Sequence, residues 1–419
     1  TLPTTTSMVI NPGATLDLGG DETLGTLANA GTITLSAVGS TLTVSSGTSS
    51  GAINGDGSLT KTGAMHNAGT VDLGGVNRTL LTDSDFSFSG VVSNGGLNKT
   101  GAATLTLTGA NTYVGPTTLN AGWIRIGNNS GVGTSTAFST SAVTLNAGRL
   151  SSNNGNNNAY TLANAITLGG NVALGHATYY GPLTLSGTLN LGGAAHTMTV
   201  DSAITLTGVI SNGGFTKAGA GTLTINSSAA NTYAGATTIT AGMVATGGSA
   251  GRLGSTSGVD LSAGAVLQLN TSETINLLTG GGSVVLNGTA VRLTTGTNNG
   301  DYVLGSVVSG TGTFTKTGTG SVTLAGTNTY TGDTTLTNGT IRLGSDDALG
   351  NAVSSYLLVT AGRLSSDGAT ERSLGNNITM NGDLALGNVT NTGRVTLAGG
   401  ISLEGFNRTF TVDSVATIS

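Results

Sequence analysis

The chain has 419 residues, with 71 Gly, 4 Pro, one Trp and no Cys; only 8% are charged and the net charge is −5. So little charge excludes a helix-rich protein covered in Glu/Lys faces, and irregular Gly with scarce Pro excludes collagen. The missing Cys removes disulfides, thiolate nucleophiles and Cys-type zinc or iron–sulfur sites, and the acidic balance gives nucleic acid no electrostatic footing.

The small net charge and the recurring Val/Ile/Leu/Thr strings also argue against disorder. No run of 18 apolar residues is present, so no membrane-spanning helix is expected. Thr1 opens the chain without a charged-then-apolar leader. A signal peptide is therefore expected to have been removed or left out. Ala416-Thr417-Ile418-Ser419 stops where the sister copy from Ala203 runs on into Val209-Ile210-Ser211, and neither end reads as a cap, so a fragment of a longer chain is expected.

In chain order, the first element that recurs is Leu59-Thr60-Lys61-Thr62-Gly63, a partial copy near 53–75 that follows a turn-like Asn54-Gly55-Asp56-Gly57. A full copy follows at 91–127. It holds Leu97-Asn98-Lys99-Thr100-Gly101, then Asn111-Thr112-Tyr113, Thr117-Thr118-Leu119 and Trp123-Ile124-Arg125-Ile126-Gly127. A different block comes next, with Ala147-Gly148-Arg149-Leu150-Ser151-Ser152, Val172-Ala173-Leu174-Gly175 and Val200-Asp201-Ser202. The second copy, 209–247, carries Phe215-Thr216-Lys217-Ala218-Gly219 and Asn231-Thr232-Tyr233. Gly264-Ala265-Val266-Leu267 and Glu273-Thr274 then echo Gly13-Ala14-Thr15-Leu16 and Glu22-Thr23. The third copy, 307–344, carries Phe314-Thr315-Lys316-Thr317-Gly318, Asn328-Thr329-Tyr330 and Ile341-Arg342-Leu343-Gly344. Last, Ala361-Gly362-Arg363-Leu364-Ser365-Ser366, Leu384-Ala385-Leu386-Gly387 and Val412-Asp413-Ser414 repeat the middle block.

All four lysines (61, 99, 217, 316) sit in one context, separated by 38, 118 and 99 positions, close to multiples of about 20. Irregular spacings with a short common divisor suit a coil that gains or loses whole turns. Strings such as Thr104-Leu105-Thr106-Leu107 put Leu inward and Thr outward, with Gly and Asn at corners. The fold expected is all-β: a right-handed parallel β-helix of roughly 20 residues per turn, continuous over 1–419, about 20 turns and on the order of 100 Å long. Thr and Asn ladders are expected outside or at the corners. A tandem of Ig-like sandwiches would need a buried aromatic in each module of about 100 residues, whereas aromatics make up 4% and no linker is visible.

The run 97–113 with Thr117-Thr118-Leu119-Asn120-Ala121-Gly122 closely resembles the passenger-associated β-strand repeat of bacterial autotransporters, as do the copies around Lys217 and Lys316 and, in part, Lys61. The resemblance implies a cell-surface or secreted passenger or stalk. It also implies outer-membrane export through a C-terminal β-barrel translocator on the missing part of the chain, and a repeat that aids export and folding. Partners implied are self, side by side or end to end, or a host or neighbouring cell surface.

Chemistry is sparse. His66, His176 and His196 lack companions at metal or catalytic spacing. Asp83-x-Asp85 and Asp346-Asp347 lack the nonapeptide of calcium-binding solenoids. Every Lys and six of ten Arg belong to repeats, whereas a catalytic residue breaks a repeat. The reading is therefore non-enzymatic, without cofactor or metal, acting in adhesion, aggregation or surface display. The alternatives are a building block of an extracellular filament and a carbohydrate-active β-helix enzyme with acids near Arg292 or Arg372. Lys61, Lys99, Lys217 and Lys316 are expected to aid export, mark register or, if exposed, block edge-to-edge pairing. The Asn–Tyr pairs (Asn111/Tyr113, Asn231/Tyr233, Asn328/Tyr330) suit corner packing with a bonded hydroxyl better than a binding stripe. Trp123, where the sister copy has Thr340, is a carbohydrate or protein contact if exposed and a core filler if inward.

Overall fold

The computed structural model describes residues 2–37, 40–55, 58–61, 65–127, 133–153, 155, 159–249, 251–253 and 258–419. Among these every regular element is a strand, and every pairing is parallel, which makes the fold a parallel β-helix. Paired residues lie one turn apart, from 17 positions (Thr15 with Thr32) to 27 (Gly133 with Tyr160).

The chain forms two compact units, Thr1–Ile210 and Ser211–Ser419. In the first, one face is the ladder Thr15–Leu18, Thr32–Leu35, Ala52–Gly55, Val71–Asp72 and Val92–Ser93. Another face stacks Phe86–Phe88, Thr104–Leu107, Trp123–Ile126 and Arg149–Ser152. The second unit carries a seven-stranded face from Glu273–Ile275 to Ile401–Ser402. A three-stranded face holds Arg372–Leu374, Val395–Leu397 and Ala416–Ile418.

These residues form such strands because alternation gives each turn a dry row, and like side chains then stack along the axis. Leu105, Ile124 and Leu150 are register partners and each is fully buried. The polar row does the complementary job outside: Asn98 bonds Thr79 at 3.2 Å, Asn120 bonds Asn98, and Asn146 bonds Asn120 at 2.7 Å. This is an Asn ladder of the kind the sequence suggested.

One corner is a column of glycines. A Cβ added to Gly51, Gly69, Gly90 or Gly109 would lie 1.9 Å from the carbonyl oxygen of the glycine one turn earlier. Backbones there approach closely enough that no side chain fits, which fixes the residue type without any positive φ.

The 251-residue echo in the sequence is also structural. Glu22 accepts the Leu2 amide at 2.7 Å, and Glu273 accepts the Arg252 amide at 3.1 Å. In both places a carboxylate on one turn caps the chain entering the turn before.

Candidate functional site

Each full repeat builds the same interior device. In Leu97-Asn98-Lys99 the lysine lies two residues after a buried apolar one, so strand alternation turns it inward; it pairs in register with Leu119. Lys217 pairs with Ile239 and Lys316 with Leu336. All three side chains are 0% exposed. They therefore cannot guard an outer edge, and the edge-blocking role considered for them is corrected: their stems fill the core and their ammonium groups end in a corner. Only the backbone of Lys61 falls among the described residues; its side chain lies outside them.

The corner is made of carbonyls. Lys99 Nζ donates to Thr100 and Gly101 at 2.8 Å and to Ala121 on the next turn at 3.1 Å. Lys217 Nζ donates to Gly219 at 2.6 Å and Ala241 at 2.9 Å. Lys316 Nζ donates to Thr317, to Gly318 at 2.9 Å and to Asn338 at 3.5 Å. The glycine two residues after each lysine turns the chain at positive φ (75°, 78° and 69°). A Cβ on Gly122, Gly242 or Gly339 would meet the ammonium at 2.7, 2.7 and 2.8 Å. The spacing of Lys and Gly in the repeat is thus the outline of an ammonium cradle. Burial pushes Lys99 and Lys316 down to about 8, opposed by Asp83 and Asp301 respectively. At neutral pH both are charged, with carbonyl dipoles in place of water.

The Asn and Tyr of each repeat tie neighbouring turns together. Asn111 accepts the Val92 amide at 2.8 Å and donates to the Ala137 carbonyl at 2.7 Å; Asn328 does the same with Val308 and Ala348 at 2.8 and 2.7 Å. Asn231 donates to the Arg252 carbonyl at 2.5 Å and accepts from Ser227 at 2.9 Å. Tyr113, Tyr233 and Tyr330 are buried, with hydroxyls on Thr117, Thr237 and Thr334. Burial raises the hydroxyl pKa of Tyr113 and Tyr330.

Trp123 is half-buried on the outer face of the first unit. Its indole N–H donates to Ser151 at 2.7 Å, and His176 lies 4.5 Å from its ring. The Arg125 guanidinium sits 4.1 Å from Trp123 and 4.0 Å from Tyr179, a cation held against two rings. Below it Arg149 pairs with Asp201 at 2.8 Å. Half-buried, Trp123 holds three successive turns side by side. His176 Nδ1 accepts the Thr178 and Tyr179 amides at 3.0 and 3.3 Å, and burial, Arg149 and Arg125 lower its pKa. His66 sits between Ser87 and Ser89.

Sequence reasoning missed two buried charges. Arg252 is 1% exposed and donates to the Gly247 carbonyl at 3.2 Å. Glu273 is 2% exposed, and burial raises its pKa to about 7, opposed by amides of 251–253 and by Arg252. The recurrence of Glu-Thr at 22 and 273 was the available signal. Among the described residues no group of three or more His, Asp or Glu is placed to hold a metal ion.

A parallel β-helix with inward lysine cradles at intervals defines the class. Residues 97–126, 215–245 and 314–343 match the passenger-associated-transport-repeat family, less than a quarter of the chain in all. Each match lies within one of the full copies, so the chain carries the passenger-associated-transport repeat three times. No curated protein and no solved structure matches the chain.

Proposed function

We propose that the chain is a non-enzymatic passenger or stalk, displayed on a bacterial surface or released from it, that acts in adhesion, aggregation or surface display. The observation that supports this reading most is the threefold recurrence of the passenger repeat within a β-helix whose turns are held by local contacts. Such a fold propagates turn by turn as the chain emerges on the far side of a membrane, because each turn needs only its neighbour. A β-barrel translocator elsewhere on a longer chain, and a partner that is either another copy or a neighbouring cell, belong to this proposal.

The test uses intact cells of the source bacterium. Antibody to residues 1–419 should label unpermeabilised cells or the medium, and deletion should reduce clumping or attachment. Labelling only after permeabilisation would overturn the reading. Continuous fibres in electron micrographs of the native material would replace it with the filament.

A further inference from the structure

The second unit repeats the Trp123 face with its rings removed. Arg342 stands where the first unit has Arg125, and Arg363–Asp413, at 2.5 Å, where it has Arg149–Asp201. The loop between them keeps its shape. Asn388 Oδ1 accepts the Thr390 and Asn391 amides at 2.8 and 3.3 Å, as His176 Nδ1 accepts those of Thr178 and Tyr179. All three rings have been replaced: Trp123 corresponds to Thr340, His176 to Asn388 and Tyr179 to Asn391. What the first unit fills with its own rings, the second leaves as an open groove of about 610 Å³, within the roughly 300–1,000 Å³ range of ligand sites.

The geometry points to this groove as a binding site for a neutral saccharide. Each nearby arginine already faces a carboxylate: Arg342 with Asp301 at 3.3 Å, Arg372 with Asp367 at 3.0 Å, and Arg363 with Asp413. Charge is balanced, so the site has nothing left over with which to select an ion. What it offers is hydrogen bonding, from the Asn388 and Asn391 amides and the Asp367 carboxylate, over a floor that includes Thr323 and Ala325. The Nε of Arg342 is shut away from solvent without a partner, as is that of Arg125 in the first unit, so it belongs to the shared scaffold and not to the groove. Planar amides, a guanidinium and a carboxylate around a small-residue floor match the hydroxyls and C–H face of a sugar ring; an aromatic or apolar guest would leave them unpaired. The site goes beyond the surface-passenger reading and does not depend on it, since the isolated chain carries the whole groove.

The experiment screens the 419-residue protein against an array of neutral and carboxylated oligosaccharides and takes the strongest neutral hit to calorimetry. Refilling the groove with the first unit's rings (T340W, N388H and N391Y together) should weaken binding by about tenfold or more, as should R342Q. W123T, on the other unit, should leave it unchanged. Should the triple variant lose its β circular dichroism, N391Y alone answers the question, because it leaves the Asn388 turn intact. The proposal is overturned if no neutral saccharide binds, if only carboxylated ones do, or if the refilled groove binds as well as the native one.

Discussion

Lys99 was the residue whose role was easiest to misjudge, because lysine is so seldom buried. Its neighbours gave the correct orientation: Leu97 is inward, and two residues on is inward again. The carbonyls that receive it were not legible, since one of them arrives from the next turn. Replacing Lys99 by Met keeps the stem and strands three acceptors. The expected loss is about 2–3 kcal/mol, read as a lower denaturant midpoint at an unchanged slope. The titration of these groups gives a pH signature. Lys99 and Lys316 are lowered from 10.5 to about 8, so between those values the unfolded chain binds more protons and stability rises with pH. Glu273 is raised from 4.5 to about 7, so between those values the native state binds more protons and stability falls as pH rises. E273Q should flatten the fall between pH 4.5 and 7 and leave the rise above pH 8 in place; an unaltered acid limb would show that Glu273 does not titrate there.

At the scale of the element, alternation was legible nearly everywhere, because a parallel strand with one dry face writes period two directly into the sequence. Val143–Leu145, Ile166–Leu168 and Leu183–Leu185 each follow it, buried at both ends and half-buried between. Corners were harder. Turns run from 17 to 27 residues, and the loops that contribute to that spread leave no periodic mark. The glycine column shows what a corner demands. G109A would put a methyl 1.9 Å from the Gly90 oxygen, so two turns must part. A loss of at least about 2 kcal/mol is expected, whereas G19A, with nothing within 4 Å, should stay within about 0.5 kcal/mol of wild type; paired thermal melts make the comparison.

At the scale of the whole molecule, repetition told the fold and divergence told the candidate site. Copies that match describe the scaffold: cradle, Asn tie and Tyr–Thr bond recur in both units. Copies that differ mark where something else was wanted, and Thr340 in place of Trp123 was the only part of that difference noticed from sequence alone. His176 and Tyr179 lie more than fifty positions from Trp123, and only the coiling brings them to it. The loop that carries Asn388 and Asn391 was equally silent, because an open groove is made by side chains that are missing.

The inward lysines also give the molecule an unusual surface chemistry. Apart from Lys61, whose side chain is not described, its ε-amines are sealed inside the coil. Aldehyde fixatives and acylating labels, which need an accessible unprotonated amine, find little to hold on a folded chain and three more handles on an unfolded one. Amine reactivity is therefore a clock for coiling, with each repeat going silent as its own turn closes.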